Sequence, residues 1–475
     1  MNNPAPLQTF GWLSVARLGL VQAALGAIVV LTTSTLNRVM VVELALPALL
    51  PGFLVALHYL VQITRPRMGH GSDVGGRRTP WIMGGMAVLA TGGITASLAT
   101  AWMATNRPAG MALAVAGFVL IGLGVSASGT SLLVLLAKRV PSGRRAGAAT
   151  MVWMMMIFGF AMTAGLAGHW LDPYSPARLV LVTCIVAAAA LTLTAAALYR
   201  LEERAPRVPA NSPLQQAPIQ AAPSTGRPQF LEALQQVWSE PAARRFTIFV
   251  FVSMLAYSAQ DLILEPFAGT VFGFTPGAST QLAGVQHAGV LLGMLLVAAA
   301  GAWGARQAHH PLWRHVGSLR GWTIGGCVAS GIAMAGLVAA GLTGLGWPLK
   351  ENVFLLGVAN GAFSIGAIGS MMRMANEGRQ SREGVRMGLW GAAQAVAFGL
   401  GGLVGTAASD IARFLIASPG VAYASVFGLE AALFLVSAAL AWKISSPTSS
   451  LSPTAAAPQA TGPTAPGSYS LTPQA

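Results

Sequence analysis

From Leu13 to Lys443 the chain is one long apolar tract, cut about every 30 residues by a short polar loop, and the loops alternate in charge. A helix crossing a bilayer core needs about 20 apolar residues. In lipid only helices and closed barrels satisfy their own backbone groups, and segments this long and continuously apolar are helices. Hydrophobic residues make up 54% of the chain and charged residues 9%, against about 25% charged in soluble domains. The expected fold class is an all-α membrane protein with twelve transmembrane helices in two pseudo-symmetric six-helix bundles.

The twelve expected spans are 13–36, 45–65, 80–103, 111–137, 146–170, 178–199, 246–271, 278–304, 320–343, 351–373, 384–412 and 421–442. They divide the chain into an N-terminal bundle (1–199), a linker (200–245), a C-terminal bundle (246–443) and a tail (444–475). The linker is rich in Pro, Ala, Gln and Ser, with one candidate surface helix at 230–238. The tail is uncharged after Lys443 and of disordered composition. No basic n-region or cleavage site marks the start, so the first span is expected to remain.

With the N-terminus placed in the cytoplasm, 23 of the 28 Lys and Arg residues fall on cytoplasmic loops and span ends. The exceptions are Arg38, Arg107, Arg178, Lys350 and Arg413. This bias puts both termini in the cytoplasm. It also gives the net charge of +14 a topological cause, so no nucleic-acid partner is expected. Cys184 and Cys327 both fall inside spans and read as small apolar residues.

The halves echo each other. RAGAATMVW (145–153) opens span five and REGVRMGLW (382–390) opens span eleven, with Asp172 and Asp410 following. LNRVMVVEL (36–44) ends span one much as AQDLILEPF (259–267) ends span seven. Such repeats mark transporter folds, whose ligand sites lie between the halves. The loop GHGSDVGGRRTPW carries Gly69, Asp73, Gly76, Arg77 and Arg78 at the spacing G-x-x-x-D-x-x-G-R-[KR]. That pattern resembles the cytoplasmic latch of the major facilitator superfamily: Gly for the turn, Asp to cap a helix and pair with Arg. A purely topological basic turn is the alternative.

Arg38 and Glu43 end span one, and Asp261 and Glu265 end span seven. Charges near hydrocarbon are costly unless paired, so Arg38 is expected to pair with Asp261 or Glu265 across the halves, as a gate, a polar pocket or a static strut. Glu430 sits midway along span twelve. His58, His169 and His287 lie in or beside spans, His287 near the midplane. A neutral imidazole there is either an interhelical hydrogen-bond partner or an axial ligand to a pigment magnesium or haem iron. His309, His310 and His315 share a loop without Cys or carboxylate, so no metal site is expected. Gly-rich stretches (122–129, 399–405) and Met154 to Met156 read as close packing.

AYSAQDLILEPFAGTVFGF (256–274), TLNRVMVVELALPALLPG (35–52) and the latch loop together resemble the PucC/LhaA, or bacteriochlorophyll delivery, family. TTSTLNRVMVVELALPA and HYLVQITRPRMGHGSD resemble the branch known as a bacteriochlorophyll synthase accessory chain. The resemblance implies an assembly factor that binds or delivers bacteriochlorophyll or its precursor. It implies neighbours among light-harvesting apoproteins, the pigment synthase and the insertion machinery, and a photosynthetic membrane. Prenyl transfer needs Asp-rich magnesium and diphosphate motifs, and no D-x-x-x-D cluster occurs in a predicted loop; a non-catalytic chain is expected. The competing reading is a transporter of a small solute or drug, proton-coupled through Asp261, Glu265 or Glu430.

Overall fold

The computed structural model describes residues 9–65, 77–141, 144–202, 235, 238–306, 318–377 and 383–444. In chain order the main helices are α1 Trp12–Glu43, α2 Leu49–Thr64, α3 Thr79–Met103, α4 Arg107–Arg139, α5 Arg145–Leu171 and α6 Pro176–Leu198. They continue with α7 Pro241–Phe272, α8 Pro276–Arg306, α9 Leu319–Thr343, α10 Leu349–Glu377, α11 Glu383–Leu415 and α12 Pro419–Ile444. Among the described residues eleven of these are long and apolar enough to cross a membrane, and α2 is apolar but shorter. The chain is an integral membrane protein. The expected second span is the one that falls short, and residues 66–76, which follow it, lie outside the described residues. So do most of the expected linker, the tail from 445, and His309, His310 and His315.

The helix starts follow simple chemistry. Pro stands in the first turn of α3, α4, α6 and α7, where its missing N–H costs nothing. Asn106 and Ser175 cap α4 and α6 through Ala109 N (3.2 Å) and Arg178 N (3.1 Å). The end of α1 is less ordinary. Two π-helical segments, Leu31–Thr35 and Val39–Glu43, flank Leu36–Arg38. Ala45 then turns left-handed (φ 49°), and Leu46 N donates back to Met40 O at 3.0 Å, closing the helix.

Buried side chains sort into two main clusters. One gathers Leu18, Leu36, Met86, Ile121 and Leu135 from α1, α3 and α4; the other gathers Phe249, Phe267, Phe363, Phe427 and Phe434 from α7, α10 and α12. Inside a half, packing is close. A Cβ on Gly124 of α4 would lie 2.5 Å from the Leu89 backbone N of α3, so only glycine permits that approach. Between the halves, α5 packs along α8 and α2 along α11. Met154, Met156 and Ile157 of α5 meet Val290 and Met294 of α8 there.

Candidate functional site

The functional groups collect where α1, α2, α5, α7, α8 and α11 face each other across the halves. Thr32, Ser34, Thr35, Asn37 and Arg38 are all buried in the π-distorted end of α1. π-Turns are frequent at functional sites. Thr35 Oγ1 lies 3.0 Å from Thr280 Oγ1 of α8. Asn37 Nδ2 donates to Leu262 O of α7 at 2.6 Å. That carbonyl lies four residues before Pro266. A proline has no N–H to give back, so its helix leaves the Leu262 oxygen to another donor.

Arg38, 2% exposed, does not pair as expected. Its NH1 bonds Glu43 Oε1 at 2.5 Å, and its NH2 donates to Phe274 O, past the end of α7, at 2.6 Å. The guanidinium fits over Gly269, where a Cβ would meet it at 2.8 Å. Arg38 therefore joins the halves through a backbone carbonyl, and its counter-ion is in its own helix. The π-turn explains the exchange of partner: i and i+5 share a face there, whereas in an α-helix they do not. Glu265 is 2% exposed and near enough to Arg38 to feel its charge, yet neither carboxylate oxygen has a partner among the described residues. Glu430 of α12 is likewise buried without a partner. Asp261 lies one turn before Glu265 and is only half-buried, with the Gln286 amide at its carboxyl.

The histidines separate. In His58, 2% exposed, Nδ1 faces Val55 O at 3.3 Å and Nε2 faces Gln62 Nε2 at 2.9 Å. The carbonyl can only accept, so Nδ1 carries the proton and Nε2 accepts from the amide. Arg65 holds the other end of that amide through Gln62 Oε1. Both ring nitrogens of His58 thus have hydrogen-bond partners within α2. In His287, Nδ1 donates to Ala283 O at 2.8 Å and the ring meets Phe160 of α5 edge-on at 5.0 Å. The Nε2 lone pair has no hydrogen-bond partner among the described residues, and the side chain is half-buried. A donated Nδ1–H with a free Nε2 is the arrangement of metal-ligating histidines, and His287 shows it among the described residues. His169 is exposed at the end of α5.

At one end of the bundle two carboxylates bridge the halves in equivalent ways. Asp172, after α5, accepts from Thr275 Oγ1 (2.6 Å) and Gly277 N (3.1 Å) at the start of α8. Asp410, near the end of α11, accepts from Ala48 N (2.9 Å) and Leu49 N (2.8 Å) at the start of α2. Sequence reading noticed both residues in the repeat and missed their crossing. At the other end Gly69, Asp73 and Gly76 of the latch motif lie outside the described residues. Arg77 and Arg78 are described; Glu202 beyond α6 caps α3 there, accepting from Arg78 N at 2.8 Å and Thr79 N at 2.9 Å.

Solved structures share this architecture. A bacterial homologue of the human lysosomal transporter Spinster, inward-facing and unoccupied, matches with TM-score 0.61 and 16% identity, over 91% of this chain and 96% of its own. A mutant of the peptide transporter POT with sulfate matches with TM-score 0.65 and 14% identity, over 93% and 97%. At those identities the likeness defines the fold alone, a helical membrane fold shared with these transporters. The chain belongs to the PUCC protein family, whose model matches residues 35–449. The "Bacteriochlorophyll synthase 44.5 kDa chain" of Rhodobacter capsulatus is 51% identical, over 91% of this chain and 95% of the relative. "Protein PucC" of Rhodovulum sulfidophilum is 29% identical, over 84% and 85%.

Proposed function

We propose that this protein is a non-catalytic membrane factor that holds bacteriochlorophyll, or its precursor, and hands it on during assembly of photosynthetic complexes. The observation that carries this reading is the 51% identity, over nearly the full length of both chains, to a relative named as a bacteriochlorophyll synthase chain. His287 would hold the ring's magnesium in this reading: its Ala283 hydrogen bond fixes the tautomer, and Phe160 fixes the imidazole. The bound ring supplies light absorption and a magnesium Lewis acid; the chain binds, orients and shields it. Light-harvesting apoproteins, the pigment synthase and the insertion machinery are the proposed partners. Both termini face the cytoplasm, on the photosynthetic or cytoplasmic membrane.

The test is an absorbance spectrum of protein purified from a pigment-producing host. Stoichiometric bacteriochlorophyll supports the reading. A pigment-free protein that drives proton-coupled solute uptake in vesicles overturns it in favour of an ordinary transporter. His287→Leu is expected to lose most of the bound pigment while folding normally; full pigment content in that variant removes His287 as the ligand.

A further inference from the structure

Where α2 of one half meets α7 and α11 of the other, the rings of Tyr59 and Tyr257 both pack on Phe398, at 5.7 and 5.9 Å between centroids. Tyr257 also meets Phe363 at 6.2 Å. These contacts fix the two phenol rings without using their oxygens. Among the described residues no hydrogen bond reaches either hydroxyl, and neither is sealed away as the Glu265 and Glu430 carboxylates are. Asp261 lies four residues after Tyr257 and so on the same helix face. It is close enough to act electrostatically on both phenols. All three side chains are half-buried, so the cluster remains reachable between the halves.

We propose that Tyr59, Tyr257 and Asp261 form a ligand seat shared by the two halves, which takes an esterified, carbonyl-bearing conjugated ring and turns away the free acid. This rests on the pigment reading above and deepens it. A flat conjugated ring stacks against aromatic faces. Its keto and acetyl oxygens accept hydrogen bonds, and two held hydroxyls are donors that lose little freedom in making them. The carboxyl of Asp261, on the same helix face as Tyr257, lies beside those donors. A prenyl ester is neutral next to it. An unesterified propionate is a like charge whenever Asp261 is ionised, and like-charge juxtaposition in such a site disfavours binding.

The experiment adds bacteriochlorophyll in detergent to the purified full chain, with the same ring lacking its prenyl ester as the second probe. Tyr59→Phe and Tyr257→Phe keep the ring packing and remove one donor each. Each is expected to keep the pigment bound and to raise the frequency of a ring carbonyl band in the resonance Raman spectrum. The unaltered protein is expected to bind the ester at least about tenfold more tightly than the acid, and Asp261→Asn to narrow that gap. Unchanged carbonyl bands in both Phe variants, with pigment bound, overturn the seat and leave the pigment reading standing. Equal affinity of the unaltered protein for ester and acid overturns the selectivity assigned to Asp261. Failure of the unaltered protein to bind either ring overturns the pigment reading and the seat together.

Discussion

Pro266 gives α7 no N–H, so the Leu262 carbonyl depends on Asn37 from the other half. A buried carbonyl that loses its donor costs about 1–3 kcal/mol. Asn37→Ala is therefore expected to lower stability by about that amount. In a Pro266→Ala background the new N–H can serve the carbonyl from within α7, and the cost of Asn37→Ala should largely vanish. Thermal unfolding of the four proteins in detergent measures this; equal costs in both backgrounds would show that the two residues are uncoupled. Residue-level chemistry was only partly legible beforehand. That Arg38, Glu43 and Glu265 lie near one another is consistent with their places at the ends of matching spans. The partner of Arg38 did not follow from them, because helical periodicity puts Glu43 on another face until the π-turn Val39–Glu43 is known. Tyr59 and Tyr257 gave no sequence signal, since a tyrosine in an apolar span reads as packing.

Helix starts are the element where the halves grip each other. An N-cap removed by alanine costs about 1 kcal/mol. Asp172→Ala and Asp410→Ala should each destabilise by about that much, through α8 and α2 respectively. The two sites share no residue, so the double variant should show the sum. The thermal midpoint is the readout, and a single variant as unstable as the double would mean that the two caps form one cooperative unit. The repeat made both aspartates visible in sequence. Which helix each one caps depends on how the halves dock, and no local pattern encodes docking. The short α2 has a similar cause: Ala45 and Pro47 delay its start to Leu49, although the apolar run begins earlier.

At the scale of the molecule, hydropathy and loop charge carried most of the architecture. Among the described residues eleven helices are long and apolar enough to span, the two main buried clusters follow the two halves, and the fold matches solved membrane transporters. Orientation is a prediction of the loop charge. Tags at the two ends should both be reachable only from the cytoplasmic side, with protease protection in sealed vesicles as the measurement. Reversing it should require moving basic residues such as Arg77, Arg78, Lys138 and Arg139 to the opposite loops. What sequence could not supply was depth of burial: Glu265 and Glu430 are enclosed while Asp261 is reachable, and only packing separates three acids of the same type.

The crossed aspartates also bear on how the chain is made. During synthesis the first half enters the bilayer with the leading amides of α2 bare, because their acceptor is 361 residues beyond Leu49. It must wait for Asp410, and α8 in turn finds Asp172 already in place. Produced as two fragments, neither half would be finished by itself, and mixing them should restore what the ribosome normally delivers in order.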